Sequence, residues 1–180
     1  DIKNVTQQSL RDNISIVLQD VFLFNGTVYE NIAYGVENAT YEQVVNAAKV
    51  ANAHEFISVM ENGYDTLIGE RGVRLSGGQK QRISLARALM KKPGILILDD
   101  CTSALDATTE AKVLKGLREH VGNMTVLLIS QRISTVMRAD KILCIEDGKV
   151  QGYGTHQELM ENCKIYQAIY DSQIGGVRNG

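Results

Sequence analysis

The sequence LSGGQKQRISLARAL, Leu75 to Leu89, combines a glycine turn with the start of a helix. Ser76 is a favourable N-cap, and Gln79 three residues later completes a capping box. Apolar side chains then recur on one side, which predicts a buried helix face from Ile83 onward. Backbone N–H groups at two glycines, a hydroxyl group and the positive end of the helix dipole together favour an anion. The stretch therefore predicts a phosphate-binding helix or, as the simpler alternative, an ordinary capped helix after a turn.

The second informative stretch is the aliphatic run 95–98, which follows the single proline, Pro93, and ends in Asp99 and Asp100. A run without polar alternation is typical of a strand buried on both faces, in a parallel sheet between helices. Open α/β sheets bind ligands at the carboxyl ends of their strands, where Asp99 would serve a phosphate-bound Mg²⁺. A turn-capping role for this aspartate is the alternative.

Helices and strands alternate along the rest of the chain. Capping boxes at Thr40 and Thr155 mark helix starts, and Asp147-Gly148 between two short strand candidates predicts a hairpin turn. We expect strands at 14–18, 95–99, 124–129, 141–146 and 149–153, and helices at 40–51, 54–60, 76–89, 108–121 and 133–138. A last pair of helices follows Thr155. The pattern predicts an α/β fold with a parallel sheet.

Composition excludes several classes of protein. The chain has 180 residues, is 44% hydrophobic and carries a net charge of −2, which argues against a protein that coats nucleic acid. Three cysteines without C-x-x-C spacing fit buried thiols in a reducing compartment better than disulfides or zinc. We find neither a signal peptide nor an apolar run long enough to span a bilayer. The chain starts at Asp1, in mid-pattern and without methionine, so we expect a piece of a longer protein.

Together these motifs resemble the nucleotide-binding domain of an ATP-binding cassette (ABC) transporter of the exporter type, over nearly the whole chain. Their order and spacing make the resemblance more specific than any single motif would. The matching residues are Leu75, Ser76, Gly77, Gly78 and Gln79 (signature segment), Ile95–Asp99 (Walker B strand), Ser103, Ala104, Leu105 and Asp106 (D-loop segment), Gln19 (Q-loop), and Gly69, Glu70, Arg71 and Gly72 (exporter X-loop).

The resemblance implies a P-loop NTPase-like (RecA-like) α/β fold with a parallel sheet. Residues 1–25 and 91–180 would form the ATPase core, and residues 26–90 an inserted α-helical subdomain that carries the signature segment. The chain contains no G-x-x-x-x-G-K-[ST] sequence. The family's phosphate-binding loop lies N-terminal to the point where this chain starts, so that segment and a central strand of the sheet are expected to be absent.

The resemblance also implies roles for the matching residues. Two such domains would pair head to tail around two ATP molecules, and the signature segment would contact the γ-phosphate of the partner's ATP. Gln19 would contact Mg²⁺ and the attacking water, Asp99 would hold Mg²⁺, and Asp106 would connect the two sites. The X-loop and the apolar loop 21–24 would face the coupling helices of a transmembrane domain. ATP and Mg²⁺ are the implied cofactors, and the cytoplasmic face of the cell membrane is the implied location.

Two residues depart from the family pattern. Asp100 stands where active members carry glutamate, and its side chain is shorter by about 1.5 Å. Gln131 stands where a histidine is usual, and an amide cannot become charged or relay a proton. Both positions act on the attacking water, so we interpret the chain as the degenerate half of a heterodimeric exporter that lends its signature segment to the partner. Neutral drift in an active site is the alternative.

The expected function is ATP binding and hydrolysis coupled to substrate export, with multidrug export as one candidate, and we expect the isolated chain to be inactive. Two alternatives remain: a non-hydrolysing module that dimerises around ATP, and a soluble cassette ATPase of the DNA repair type. The long heptad insertion usual in the repair class is absent, and we expect no nucleic-acid partner.

Four further residues invite a chemical role that we do not assign. His54, His120 and His156 lie far from the motifs in the sequence and are interpreted as surface or packing residues. Cys101 follows the key carboxylates but has no base nearby in the sequence, so a packing role is expected.

Overall fold

Helices and strands alternate through the computed structural model, which describes residues 1–69, 72–120, 122 and 124–174. The strands are β1 (Ile14–Val17), β2 (Gly26–Thr27), β3 (Leu67–Ile68), β4 (Ile95–Asp99), β5 (Thr125–Ile129), β6 (Ile142–Glu146) and β7 (Lys149–Gly154). The α-helices are α1 (Gln7–Asn13), α2 (Val28–Ala33), α3 (Tyr41–Val50), α4 (His54–Ser58), α5 (Gly77–Met90), α6 (Ala107–His120), α7 (Ile133–Val136), α8 (His156–Asn162) and α9 (Lys164–Gln173). Short 3-10 helices occupy Ile2–Asn4 and Gly63–Asp65.

The predicted strands and helices are all found, with ends that differ by one or two residues. Position 121, the predicted end of α6, lies outside the described residues. Helices α1 and α2 and the short strands β2 and β3 were not predicted, because each is too short to show a clear hydrophobic period. The chain divides into two units, Asp1–Ile129 and Ser130–Gly180.

The main sheet of the first unit is parallel and has the strand order β1-β4-β5. Ile16 pairs with Ile97 on one side of β4, and Leu98 pairs with Leu128 on the other. This arrangement confirms the predicted α/β fold with a parallel sheet. Because the strands run in the same direction, the segments that follow β1 and β4 leave the sheet at one edge.

The expectation that β4 is buried on both faces was wrong. Leu96 and Leu98 are fully buried, but Ile95 on the opposite face is 39% exposed. Its neighbours on that face, Ile16 and Leu127, are 54% and 52% exposed. An unbroken aliphatic run reports only that both faces are apolar. Whether the second face is covered depends on elements that the run itself cannot specify.

Helix α5 is central to the core of the first unit. Its side chains Ile83 and Ala86 are fully buried, as are Val44 on α3 and Ile32 on α2. The predicted capping boxes at Ser76 and Thr40 both form, and a third one begins α2. Local capping and apolar periodicity therefore agree along this part of the chain, which explains why its helices could be predicted.

The second unit is built around the β6–β7 hairpin. Asp147 and Gly148 form its turn with φ values of 48° and 72°, as expected for a two-residue hairpin connection. The capping box at Thr155 begins α8 as predicted. The unit has its own apolar core, which contains Ile133, Ile142, Cys144, Leu159, Cys163 and Tyr166.

The predicted division into an ATPase core (1–25 and 91–180) and a helical subdomain (26–90) stays a prediction. It is a different division from the two units, which separate at residue 129. In the part of the chain that the structure describes, no helix has both the length and the apolar character needed to cross a membrane.

Candidate functional site

Gln19 and Asp100, two of the predicted site residues, are joined by a hydrogen bond at the edge of the main sheet. The Gln19 side-chain amide donates to Asp100 Oδ2 across 3.2 Å. Gln19 lies two residues after β1, and Asp100 directly follows β4. Since β1 and β4 are adjacent parallel strands, their carboxyl ends deliver both side chains to one place.

The backbone of Asp100 is held in an uncommon conformation. Its φ angle is 44°, in the left-handed region that aspartate tolerates better than most residues. Its N–H donates to the carbonyl of Ile129 at 2.9 Å, and its own carbonyl accepts from the N–H and the hydroxyl of Ser103. These bonds fix the direction in which the Asp100 carboxylate leaves the sheet.

The signature segment forms the capped N-terminus of α5. The Ser76 hydroxyl accepts from the N–H of Gln79 at 3.2 Å, and the Gln79 side chain accepts from the N–H of Ser76 at 2.9 Å. Ser76 and Gly77 are exposed, whereas Leu75 is buried. The first turn of this 14-residue helix therefore presents backbone N–H groups and a positive dipole end toward solvent.

The signature segment packs directly against the D-loop segment of the same chain. A Cβ added to Gly78 would lie 3.0 Å from Leu105 Cδ2 and 3.1 Å from the carbonyl oxygen of Ala104. A Cβ at Gly77 would lie 3.3 Å from Ala104 Cβ. Sequence spacing did not predict this contact, because it joins two segments that lie far apart in the chain.

Two side chains anchor the D-loop segment to α6. The Asp106 carboxylate accepts from the N–H of Thr109 at 2.9 Å and from its hydroxyl at 2.7 Å, and these bonds lower the pKa of Asp106. The buried Glu110 accepts from the hydroxyl of the buried Thr102 at 2.7 Å. Glu110 was not singled out from the sequence, where it resembles an ordinary helix-surface residue.

The residues that could hold a metal ion are few. Within the described ranges, no group of three or more His, Cys, Asp and Glu side chains is arranged for a metal. Asp99 and Asp100 nevertheless provide two carboxylates at the end of β4, beside the Gln19 amide. That donor set fits a Mg²⁺ ion, which typically keeps several waters and shares its protein ligands with a substrate phosphate.

Only part of the predicted X-loop can be located, because Glu70 and Arg71 lie outside the described residues. Gly69 has a φ angle of 103°, which favours glycine, and a Cβ there would collide with Asn25 Oδ1. The N–H of Gly72 donates to the carbonyl of Gly69 at 3.4 Å.

Gln131 lies in the second unit, at the start of the segment that leads into α7. Its side chain is exposed, and its carbonyl accepts a hydrogen bond from the Gln173 amide at 2.8 Å. Gln173 also accepts from the N–H of Ile133, so one α9 side chain forms hydrogen bonds with both ends of the segment 131–133.

Two of the histidines and the cysteine to which we assigned packing roles have the contacts and burial of packed side chains. His54 and His156 share hydrogen bonds with the hydroxyls of Tyr64 and Tyr166, at 2.9 and 2.8 Å. Cys101 is buried, and that burial raises the pKa of its thiol to about 12. A thiol that stays protonated at neutral pH is a poor nucleophile, which agrees with the packing interpretation.

An open cavity of about 760 Å³ lies near the other end of α5, and its walls include Met90, Val50 and His120. The predicted site residues do not line it. Its size is in the range of small-molecule pockets, but the chemistry predicted from the sequence lies at the capped end of α5 and the carboxyl end of β4.

Comparisons with known proteins agree on one family. The family model described as ABC transporter matches residues 1–103. "Uncharacterized ABC transporter ATP-binding protein YfiB" of Bacillus subtilis is 52% identical over 97% of this chain and 30% of its own length. "Putative multidrug export ATP-binding/permease protein YgaD" of the same organism is 47% identical over 96% of this chain and 30% of its own length. The solved structure of a bacterial Atm1-family ABC exporter with ATP bound is 42% identical and has a TM-score of 0.91, covering 97% of this chain and 31% of that one.

Proposed function

This chain belongs to the ABC transporter family as an exporter-type ATP-binding domain, and from that premise we propose that it couples ATP binding and hydrolysis to substrate export. The chain spans about 30% of the length of the curated relatives that it matches. The transport activity is therefore proposed for the longer protein of which this domain would be a part. The observation that carries the proposal is the hydrogen bond between Gln19 and Asp100 at the sheet edge.

In the proposed reaction, Asp99 and Gln19 would hold a Mg²⁺ ion that accompanies the ATP phosphates. The ion would supply charge neutralisation on the transferring phosphoryl group. Asp100 orients the attacking water, and Gln19 holds the Asp100 carboxylate in place through the bond at 3.2 Å. The fixed backbone of Asp100 supports this assignment, because a positioned carboxylate loses little freedom during the reaction.

The signature segment acts on an ATP molecule held by a second domain. Two features support action in trans. The capped first turn of α5 presents Ser76 and Gly77 to solvent, and helix N-termini bind phosphate groups through their N–H groups and dipole. The second domain is a related nucleotide-binding domain in a heterodimer, and the D-loop segment, packed on Gly78, connects the two ATP sites.

A transmembrane domain docks on the loop that follows Gln19. Phe22 and Tyr34 are 69% and 56% exposed, and both rings contact Phe24, so they form one exposed aromatic patch of the kind that marks an interaction site. Together with the X-loop, Gly69 to Gly72, they form the proposed contact with coupling helices at the cytoplasmic face of the membrane. Residues 26–90 then act as the helical subdomain and the rest of the chain as the ATPase core.

The chain's own ATP site is proposed to be slow, because of Asp100 and Gln131. Glutamate in place of Asp100 would carry its carboxylate about 1.5 Å further, and histidine in place of Gln131 could relay a proton. The test is the ATP turnover of the full-length heterodimer with Asp100→Glu, Gln131→His or both. A general base contributes about 10²- to 10⁴-fold, so we expect the double variant to increase turnover by at least about tenfold.

The matched control is Asp12→Glu, which lengthens an exposed carboxylate on α1, outside both the docking loop and the pair. It should leave turnover unchanged. Unchanged turnover in the double variant would contradict the slow-site proposal and favour neutral drift. A full-length wild type that binds ATP but never hydrolyses it at either site would instead favour the non-hydrolysing dimerisation module.

A further inference from the structure

The structure assigns a positioning role to Arg87 and Asn31, which join the signature helix α5 to the loop that follows Gln19. We define this pair as the Arg87–Asn31 bridge and the loop, residues 20–25, as the aromatic loop. The bridge makes the position of the aromatic loop and the position of α5 depend on each other. This inference rests on the proposed function, since it assigns a use to the connection between the docking loop and the helix that carries the signature segment.

Arg87 makes three hydrogen bonds that leave its own helix. Its Nε donates to the carbonyl of Asn31 at 2.7 Å, and its Nη2 donates to Asn31 Oδ1 at 2.9 Å. Its Nη1 donates to the carbonyl of Phe22 at 3.0 Å. The guanidinium also lies over the ring of Phe24, 5.0 Å from the centroid. A single side chain of α5 therefore contacts both α2 and the aromatic loop.

Asn31 completes the connection from the opposite side. Its Oδ1 accepts from the N–H of Phe24, and its Nδ2 donates to the carbonyl of Phe24, both at 2.9 Å. A further bond at 3.0 Å reaches the carbonyl of Thr27. Asn31 is only 1% exposed. Its buried amide therefore connects the guanidinium of Arg87 to the backbone of the aromatic loop.

The chemistry of the bridge indicates that it positions the aromatic loop relative to α5 more than it stabilises the fold. The hydrogen bonds of Arg87 go to carbonyl and amide oxygens, which carry no charge to compensate its partial desolvation. Burial lowers the pKa of the guanidinium accordingly. A planar fork is suited to holding several acceptors in a fixed geometry, whereas an apolar side chain of similar volume would avoid the desolvation penalty.

The bridge connects the exposed aromatic side chains to α5, the helix that begins with the signature segment. Phe24 stacks on Tyr34 with ring centroids 4.2 Å apart, and Phe22 meets Phe24 edge to face at 5.2 Å. A partner that displaces these rings would also displace the carbonyl of Phe22, to which Arg87 donates a hydrogen bond. From Arg87 to Gly77 the helix spans about 15 Å, at 1.5 Å per residue, and rigid secondary elements of this kind can carry coupling between sites.

The decisive variant is Arg87→Lys, which keeps the charge but removes the fork. The matched control is Arg82→Lys on the same helix. Arg82 also lies over an aromatic ring, 4.6 Å from the centroid of Phe56, and donates to a carbonyl, that of Asn52, at 2.7 Å. Its Nη1 reaches the turn between α3 and α4 instead of the aromatic loop. Its Nε also donates to the carbonyl of Gly78 in the signature segment at 3.2 Å, so Arg82→Lys is the control for amide exchange and not for ATP turnover.

The first measurement is amide hydrogen exchange of the 180-residue chain. We expect Arg87→Lys to accelerate exchange at the N–H of Phe24 by about tenfold, because local opening becomes easier when its anchor is weakened. Arg82→Lys should leave that amide unchanged. Asn31→Ala, which removes the Oδ1 acceptor of that N–H, should also accelerate it. Equal exchange in the wild type and Arg87→Lys would overturn the inference.

The second measurement is ATP turnover in the full-length protein. We expect Arg87→Lys to lower kcat by about tenfold with the KM for ATP unchanged, because misplacing a catalytic group by about 1 Å can cost a hundredfold. The control for turnover is Arg11→Lys, at an exposed arginine of α1, which should leave kcat unchanged. An equal fall in both variants would reveal general destabilisation and overturn the positioning role. A wild type without ATP turnover would contradict the proposed function, while the exchange measurement would still decide the bridge.

Discussion

The Gln19 side-chain amide donates a hydrogen bond to Asp100 Oδ2 across 3.2 Å, although 81 positions separate these residues in the chain. Each follows a strand, and the two strands are neighbours in the parallel sheet. The bond leaves the other Asp100 oxygen available for a water molecule or a metal-bound ligand. This bond and the left-handed backbone of Asp100 together hold the carboxylate in one direction, so the side chain keeps little rotational freedom.

The left-handed backbone of Asp100 makes a prediction about stability. We expect Asp100→Ala to lower the free energy of unfolding by about 1–2 kcal/mol, because alanine is unfavourable at a φ of 44° and the bond to Gln19 is lost. Asp100→Asn should change it by less than about 0.5 kcal/mol, since asparagine tolerates this region. Urea denaturation of the 180-residue chain measures both. An equally stable Asp100→Ala variant would contradict the strain argument.

The contact between the two glycines of the signature segment and the D-loop segment predicts unequal effects of alanine. At Gly78 a new Cβ would meet Leu105 Cδ2 at 3.0 Å and the backbone oxygen of Ala104 at 3.1 Å. The backbone cannot easily withdraw, so overpacking should outweigh the helix propensity of alanine, with a loss of about 1 kcal/mol. At Gly77 the nearest atom is a methyl group at 3.3 Å, so we expect Gly77→Ala to be neutral or slightly stabilising. Thermal unfolding compares the two variants, and equal losses would contradict the predicted difference.

Most of the fold could be predicted because local signals and long-range packing agree. The capping boxes at Ser76, Thr40 and Thr155 all form, and the aliphatic run after Pro93 is a strand of a parallel sheet. The exposed face of that sheet could not be predicted, because exposure depends on what covers a strand and not on the strand itself.

The candidate site was predictable only as a set of positions. Parallel strands imply that Gln19 and Asp100 share an edge, but the hydrogen bond between them depends on loop conformations without a sequence period. Asn31 was missed because a buried polar residue in a six-residue helix leaves no readable pattern. Arg87 does have a signal in the sequence, because it is flanked by two alanines. These small side chains leave the arginine room to lie along the helix and reach a buried partner.

The D-loop aspartate predicts a pH effect on stability. Hydrogen bonds from Thr109 lower the pKa of Asp106 below its ordinary value of 3.8. A carboxyl group with a lowered pKa in the folded state stabilises that state above the unfolded pKa, and the contribution is lost as pH falls through the folded pKa. Wild type should therefore exceed Asp106→Ala in stability near neutral pH, and the difference should shrink as pH drops below 3.8. Urea midpoints across that range test this, and a difference that persists at the lowest pH would contradict it.

The N-cap of α5 offers a way to separate phosphate binding from simple helix capping. Ser76 and Thr40 each begin a helix with the same capping box, and both side chains are exposed. Substituting either with alanine should lower the free energy of unfolding by about 1 kcal/mol, the typical effect of losing an N-cap. If Ser76 also contacts the ATP of a partner domain, then Ser76→Ala must lower ATP turnover of the assembled transporter far more than Thr40→Ala does. The measurement is turnover per folded protein for both variants at matched stability. An equal, small loss of turnover in the two variants would mean that Ser76 caps its helix and does nothing more, because both substitutions remove an N-cap hydroxyl and differ mainly in which helix loses it.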